Sequence, residues 1–273
     1  MHYRVRTKPG LTLIEMTVVI LTIALLVSLG LPAVRAFFNS FQSESAAKSM
    51  IGAALASARA MAARNQRYTG IRFQKACVSR DPLNPLGGLL GASQYMIFIV
   101  YEEPKKMGNL TVAFRAIEGL KPVKLPDTVG VIDLSLVSGD VELDEQVELA
   151  DATTFSIIFS PSGRLIIHDV RVRNRQGVYQ PNNDDPDTSK TATDDLFNSV
   201  YNIGTYGIGM FVQDDYPNLG LDREPSRNRL VIYDKQRFAK AYSAGRAWSD
   251  CLQRLVSQTV YVNAYTGTLV SAN

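Results

Sequence analysis

Residues 8–31 read KPGLTLIEMTVVILTIALLVSLGL, and the predicted organisation of the whole chain follows from this stretch. From Leu11 to Leu31 it is almost wholly apolar, and the carboxylate of Glu15 interrupts the run near its start. A helix rises about 1.5 Å per residue, so this run would be about 30 Å long, the thickness of a bilayer's hydrocarbon core. The sequence therefore predicts one membrane-spanning helix over 11–31, preceded by a short basic segment.

The basic segment holds Arg4, Arg6 and Lys8. Because basic flanks stay on the cytoplasmic side of a membrane, we expect this segment in the cytoplasm and the rest of the chain exported. The apolar run is longer than that of a secretory signal, and no small-x-small cleavage site follows it. A plain signal anchor is the alternative interpretation, but a carboxylate such as Glu15 in a membrane helix is costly and usually marks a functional contact.

The segment Lys8-Pro9-Gly10-Leu11-Thr12-Leu13-Ile14-Glu15 resembles the processing site of type IV prepilins and type II secretion pseudopilins. The resemblance implies that a prepilin peptidase cuts after Gly10 and then methylates the new N-terminal amine of Leu11. It also implies that Glu15 is retained to pair with the N-terminus of a neighbouring subunit. Pro32 falls where many family members have a helix-kinking proline, whereas Leu11 stands in place of the commoner phenylalanine.

Elementary electrostatics agrees with this role for Glu15. A new ammonium group in a low-dielectric environment is costly unless it pairs with a carboxylate. A contact between Glu15 of one subunit and the Leu11 amine of another would neutralise both charges and set the register between subunits. The implied partners are a prepilin peptidase, other pilin or pseudopilin subunits and the inner membrane. The implied location is the inner (cytoplasmic) membrane, crossed once, with the head outside and the protein assembled into a pilus or pseudopilus.

The pattern changes after the apolar run. Apolar residues recur on one helical face as far as about Arg64, namely Met50, Ile51, Ala54, Leu55, Ala58, Met61 and Ala62. Short segments punctuated by Gly and Pro then predict strands over 71–77, 94–101, 110–117, 129–136, 153–159, 164–172, 229–233 and 259–264. The predicted fold class is α+β, with a long N-terminal helix (membrane anchor plus amphipathic half) packed on an antiparallel β-sheet or β-sandwich head.

The predicted organisation has four parts: a leader peptide at 1–10, a transmembrane and assembly helix at 11–31, the amphipathic half of the long helix at 32–66, and a globular β-rich head at 67–273. Within the head, residues 174–228 are rich in Asn, Asp, Pro, Gly, Ser and Thr, which predicts a polar surface insertion. An apolar repeat from Phe238 to Val256 predicts a short late helix.

The layout resembles the GspH/FimT-type minor pseudopilins. Their helix ends in an Ala/Arg-rich stretch like residues 56–65 (ASARAMAARN), and a strand like Ile71-Arg72-Phe73 follows. A Leu-Pro turn and a Pro-x-Gly turn come later, as at Leu125-Pro126 and Pro161-Ser162-Gly163. The resemblance implies a structural subunit, a minor pseudopilin of a type II secretion or type IV pilus assembly, and not an enzyme. The alternative is a DNA-binding minor pilin of a DNA-uptake system.

Charge bears on the DNA-binding alternative. The chain carries 29 basic and 26 acidic residues, and three of the basic ones lie in residues 1–10, so the remainder has 26 of each sign. Arg171, Arg173 and Arg175 alternate, so on a strand they share one face that can contact phosphate groups. The other interpretation is an ordinary charged solvent face, and the balanced charge argues against DNA as a partner.

The two cysteines leave two interpretations open. Cys77 and Cys251 either form a disulfide, as is common in exported domains, or are two small buried apolar residues. Outside the leader the one histidine is His168, and no nucleophile motif or metal-ligand spacing stands beside it. This absence argues against an enzymatic active site.

An acidic cluster at Asp184, Asp185 and Asp187 offers the oxygen ligands that calcium prefers. The cluster lacks the glycine and closing glutamate of an EF-hand loop, so a solvated acidic loop is the alternative interpretation. Apart from calcium, the sequence predicts no cofactor.

Overall fold

The computed structural model describes residues 13–81, 83–135, 143–177, 194–215, 220–221 and 223–271. The chain divides into two compact units, Met1–Gln42 and Ser43–Asn273. The described part of the first unit is helical, and the second unit holds all the described strands.

Helix α1 covers Leu13–Asn65 and so contributes residues to both units. The other helices are α2 Gln146–Thr153, α3 Val200–Tyr206 and α4 Lys235–Ser243. Short helical turns cover Pro104–Lys106, Trp248–Leu252, Gln253–Leu255 and Val256–Gln258. The strands are β1 Thr69–Lys75, β2 Gln94–Tyr101, β3 Ala113–Ala116, β4 Val123–Lys124, β5 Val129–Ile132, β6 Phe155–Phe159, β7 Leu165–Ile166, β8 Asp169–Val172, β9 Phe197–Asn198, β10 Phe211–Val212, β11 Glu224–Pro225, β12 Arg229–Asp234, β13 Val260–Val262 and β14 Leu269–Ser271.

The main sheet has eight strands, seven in the order β11-β8-β3-β2-β1-β6-β7 and β4 beside β2. Its centre is antiparallel, with Ile71 of β1 opposite Phe98 on one side and Ile157 on the other. Strands β3 and β8 are parallel. A second, antiparallel sheet has the order β14-β13-β12-β5, and β9 pairs in parallel with β10.

The main sheet curls back on itself. Strands β7 and β8 lie near opposite ends of the strand order, yet only two residues separate Ile166 from Asp169 in the chain. Three residue steps span at most about 11 Å, so the two ends of the sheet must come close together. Ser226 joins them, since its hydroxyl accepts the His168 N–H and donates to the Ile166 carbonyl, each at 3.0 Å. One face of the sheet is therefore enclosed by the curl.

The second half of α1 packs against both sheets. Ala47, Ile51, Leu55, Ala58 and Ala62 recur every three or four residues, and all of them are fully buried. They contact inward side chains of the main sheet and of the second sheet in one hydrophobic cluster. The alanines let the strands approach the helix backbone closely, while Ile51 and Leu55 each stabilise the fold by about 1.5–3 kcal/mol through burial.

Two further clusters complete the head. In the first, α2, α4 and the turn at Trp248–Leu252 cover the far side of β5 and β12, around Tyr233 and Phe238. In the second, Ile97, Phe114 and other residues of the main sheet enclose Phe197 and Phe211 on the inner side of the curl. The segment that carries β9 and β10 is thus held inside the curled sheet.

The predicted fold class is wrong. The structure is a mixed α/β fold with a curled sheet, and not a helix on an antiparallel sheet or sandwich. Short strands separated by tight turns favour antiparallel hairpins. Here β8 instead follows β3 after a long connection that includes β5, α2 and β6. Such a long crossover lets the two strands run parallel.

No helix in the described part of the chain is both long and apolar enough to cross a membrane. This finding contradicts three predictions: the transmembrane anchor at 11–31, the inner-membrane location and the description as a transmembrane pilin.

Several predicted elements have different bounds. The strand at Gln94–Tyr101 is confirmed, whereas the predicted strand over 164–172 is two strands, β7 and β8. The predicted helix from Phe238 to Val256 is interrupted at Gly245, which has a positive φ of 65°. In the predicted surface insertion at 174–228, the described residues include buried strands and helix α3.

Replacement of Gly52 by alanine should stabilise the head. Gly52 lies within α1, and a Cβ atom there would meet no other atom within 4 Å. Alanine loses less conformational entropy than glycine in a helix, so the free energy of unfolding should rise by about 0.5–1 kcal/mol. Urea denaturation followed by circular dichroism measures the change.

The matched control is Gly70→Ala in β1. A Cβ atom at Gly70 would lie 2.2 Å from the Ile157 carbonyl oxygen, so this variant should lose stability. If Gly52→Ala destabilised the protein as Gly70→Ala does, the open surroundings of Gly52 would be disproved.

Candidate functional site

The first unit exposes an apolar helical surface. Ile14, Met16, Val18, Val19, Ile20 and Leu21 are between 48% and 74% exposed. Successive helical residues are rotated by about 100°, so the four consecutive residues 18–21 place apolar side chains on every side of the helix. A helix that is apolar all round is normally buried, so this surface needs a partner to cover it.

The hydroxyl groups in this stretch do not change its apolar character. Thr17 donates its hydroxyl to the Ile14 carbonyl at 2.9 Å. Thr22 donates its hydroxyl to the carbonyls of Val18 and Val19, at 3.0 and 2.8 Å. These hydroxyl donors are satisfied within the helix itself, and the surface offered to a partner is apolar.

The predicted processing and assembly residues lie mostly beyond what the structure describes. Gly10 and Leu11 are outside the described residues. Glu15 and Pro32 are in α1, and their side chains are outside the described part of the chain. Their roles stay predictions from the sequence.

The three alternating arginines do not form one exposed face. Arg173 is buried, with its guanidinium donating to Asp215 at 2.8 Å and to the Gly177 carbonyl at 2.8 Å. Arg171 and Arg175 are half-buried, and Arg175 faces Asp195 at 3.9 Å. A phosphate group could reach Arg173 only by displacing its buried partners, so the head offers little support for the DNA-binding alternative.

The cysteines are free thiols in separate places. Cys77 packs against the small cluster around Val212, whereas Cys251 is buried in the cluster that contains Phe238. Burial raises the pKa of both thiols above the usual range, so both are poor nucleophiles at neutral pH. Of the two interpretations left open by the sequence, the structure has the one without a disulfide.

The predicted calcium ligands Asp184, Asp185 and Asp187 lie outside the described residues. Nearby, Asp194 is buried and accepts the backbone N–H groups of Arg175 and Leu196, at 2.8 and 3.0 Å. Within the described ranges no group of His, Cys, Asp and Glu side chains is arranged to hold a metal ion.

A buried charged cluster, which the sequence analysis missed, lies on the inner side of the curled sheet. Its centre is Arg72 of β1, which is 1% exposed. The guanidinium donates to Asp214 at 2.5 Å, to Glu224 at 3.3 Å and to the Gln74 side chain at 2.8 Å. It also donates to the hydroxyl of Ser156 on β6, at 3.2 Å.

This Arg72 cluster joins distant parts of the chain. Asp214 also accepts the backbone N–H of Val172 at 2.8 Å, and Gln74 donates to the Val212 carbonyl at 2.8 Å. A second buried pair, Arg227 with Asp133, lies close enough to affect the titration of Glu224. The cluster therefore fastens the segment around β10 and β11 to the centre of the main sheet. Replacing one partner alone would leave a buried charge unpaired.

The two carboxylates beside Arg72 share one positive charge. Burial raises the pKa of Asp214 to about 6 and that of Glu224 to about 8, although Arg72 lowers both. Asp214 is the closer of the two and also accepts a backbone N–H. At neutral pH we therefore assign the negative charge to Asp214 and the proton to Glu224.

The local sequence pattern around Arg72 points away from a buried cluster. In β1, the polar Arg72 and Gln74 alternate with the apolar Ile71 and Phe73, and such alternation is usually interpreted as a solvent-facing side. The acidic partners of Arg72 are 142 and 152 residues further along the chain, where no local pattern connects them to β1.

No protein-family model matches this chain, and neither a curated protein nor a solved structure matches it. Its function therefore has to be inferred from the chemistry and geometry of its own residues.

The contribution of Glu224 to the stability of the head should fall as pH rises from about 4.5 to about 8. Glu224 has an ordinary pKa of 4.5 and a folded-state pKa of about 8, so the folded protein binds the extra proton over this range. In Glu224→Gln that contribution is absent. The difference in unfolding free energy between the two proteins therefore isolates it from Asp214 and Asp151, each with a pKa of about 6, and from Lys75, with a pKa of about 7. Urea denaturation at a series of pH values measures both profiles.

The control for this titration is Glu118→Gln, because Glu118 is exposed at a turn. Its pH profile should match that of the unaltered protein. A Glu224→Gln profile that still fell between pH 6 and pH 8 would show that another group is responsible.

Proposed function

We propose that this protein is a structural, pilin-like subunit of a filamentous assembly, a minor pseudopilin of a type II secretion or type IV pilus system. The observation that carries the proposal is the exposed apolar surface of α1 over Ile14 and 16–22. Water is a poor solvent for such a surface, and equivalent helices of neighbouring subunits would cover it.

The energy available from this contact is large enough to drive assembly. A Val, Leu, Ile or Met side chain contributes about 1.5–3 kcal/mol when it passes from water to an apolar contact. Six such side chains lie within Ile14 to Leu21. Part of their contribution is offset by the translational and rotational freedom that a subunit loses on association.

The processing motif at residues 8–15 supports the same proposal. Cleavage after Gly10 would create an amine at Leu11, four residues before Glu15. In the filament, the Glu15 carboxylate of one subunit would accept this amine from its neighbour, and the charge pair would fix how far one helix slides along the other. Apolar packing supplies attraction without direction, so a charged contact of this kind would give the filament its register.

Mass spectrometry of the protein from its native cells should find Leu11 as the N-terminus. The same measurement should show that N-methylation adds about 14 Da. The reason is the match of residues 8–15 to a prepilin processing site. Gly10→Ala should slow cleavage, because alanine adds a methyl group and restricts the backbone beside the bond that is cut. A protein that keeps residues 1–10 in cells with an active prepilin peptidase would contradict the pilin-like function.

Leu21→Lys should reduce assembly while the head remains folded. Leu21 is 69% exposed in the first unit, so the change removes apolar surface from the proposed contact and adds a charge that the contact would bury. The measurement is the amount of protein that co-purifies with the major filament subunit at matched expression.

The matched control is Leu120→Lys, the same change at an exposed leucine of the head. Its recovery with the filament should equal that of the unaltered protein. Equal recovery of Leu21→Lys and Leu120→Lys would remove the apolar surface of α1 from the assembly mechanism.

A further inference from the structure

The second sheet ends in an unprotected strand. Among the residues that the structure describes, β14, Leu269–Ser271, is its outermost strand and pairs only with β13, with Val270 opposite Tyr261. Natural edge strands are usually protected by charged side chains, proline or a bulge, because their free backbone groups otherwise pair with another chain. None of the three residues of β14 is charged or proline.

The hydrogen-bond pattern shows which backbone groups face outward. The N–H of Asn263 donates to the Thr268 carbonyl at 2.8 Å, so these two residues form a hydrogen-bonded pair at the start of the hairpin. In an antiparallel ladder hydrogen-bonded pairs alternate, which makes Tyr261 and Val270 the next such pair. The N–H and C=O groups of Leu269 and Ser271 therefore point away from β13.

We propose that β14 is a self-association edge, at which two copies of this chain pair antiparallel about a two-fold axis through Val270. The outward backbone groups fit this arrangement, because the N–H and C=O of Leu269 in one copy face the C=O and N–H of Ser271 in the other. Leu269 of each copy would exchange two hydrogen bonds with Ser271 of the other, which gives four hydrogen bonds in total. The two four-stranded sheets then continue as one eight-stranded sheet.

The exposed side chains on the outer face favour the same register. Val270 is 48% exposed and its neighbour Tyr261 is 40% exposed. The two-fold axis brings Val270 against Val270 of the second copy, with a Tyr261 on each side. An apolar strip that ends at the edge of one copy becomes continuous across two, with each Val270 gaining an apolar neighbour.

The other face of β14 leaves room for the second copy. A groove of about 390 Å³ lies between β14 and α1, where Ser49, Gly52 and Ala56 present small side chains. Lys48 also lines the groove, and its ammonium group is held by Glu44 at 2.8 Å. Leu269 and Ser271 line this groove. In the paired arrangement, Ser271 and Leu269 of the second copy lie next to them on the same face, and the small residues of α1 avoid a collision.

The contact is small, because each copy contributes a strand of three residues. It is therefore weak and depends on concentration, as expected for an interface below the size of a stable dimer. It involves only the second unit and does not depend on the filament function proposed above. A covalent trap is the appropriate test, since it accumulates a weak complex.

The test uses Val270→Cys in the full-length chain under mild oxidation, with non-reducing gel electrophoresis. Directly opposed residues of a non-hydrogen-bonded pair have Cα atoms about 4.5 Å apart, within the range that a disulfide bridges. Tyr261→Cys is the matched control. Tyr261 and its counterpart would be three strand spacings apart, about 14 Å, which is beyond the reach of a disulfide.

The proposal predicts at least tenfold more disulfide-linked dimer for Val270→Cys than for Tyr261→Cys or for the unaltered protein, whose own thiols are Cys77 and Cys251. Adding Ser271→Pro to Val270→Cys removes two of the four hydrogen bonds and should reduce the dimer several-fold, whereas adding Ser271→Ala should not. A monomeric Val270→Cys protein, or equal cross-linking by Val270→Cys and Tyr261→Cys, would overturn the proposal.

Discussion

The contact between Arg72 and Asp214 is the interaction on which the head depends. Arg72 projects from the centre of the main sheet into the space enclosed by the curl, where it is almost wholly inaccessible to water. An unpaired guanidinium in such a place would cost several kcal/mol. The sheet can therefore close around Arg72 only when the segment at 194–215 brings Asp214 inside. One buried charge thus fixes the position of a segment that contains only short strands and a two-turn helix.

Apolar side chains fill the rest of the interior of the head. Phe197 and Phe211 fill the rest of the enclosed space, while α1 and the second sheet cover the opposite face of β1 and β6. The head is therefore well covered on the faces of its main sheet. Among the exposed features of the described residues are the edge strand β14 in the head and the apolar helical surface of the first unit. Both are suited to contacts with other chains, one through backbone hydrogen bonds and one through side-chain packing.

Local patterns predicted the parts of the fold that depend on local chemistry. The helical spacing from Ile51 to Ala62 identified the buried face of α1, and the punctuation by Gly and Pro identified β2 with its correct ends. The order of the strands could not be predicted in this way. The β3–β8 pairing and the closure beside Ile166 and Asp169 depend on contacts far apart in the chain, and the polar segment at 174–228 resembled a surface loop because its buried partners are equally distant.

The candidate functional residues likewise divide into those that a local sequence pattern suggests and those that only distant contacts bring together. The proposed processing motif at 8–15 is contiguous, so the sequence alone can suggest it, and it lies largely outside the described residues. The Arg72 cluster has members from β1, β6 and the segment after β10, and no spacing rule connects them. Alternation places Arg171, Arg173 and Arg175 on one side of a strand. Only the folded chain shows that Arg173 forms a buried ion pair with Asp215.

The distance along the chain between Arg72 and Asp214 also has a consequence for biosynthesis. Strands β1 and β2 leave the ribosome well before Asp214, which is 142 residues beyond Arg72. Until then the sheet has a cation on its inner side and no carboxylate to neutralise it, so the early strands cannot settle into a closed structure. Contacts between such distant residues also form slowly. The closed head can therefore form only after most of the chain has been synthesised.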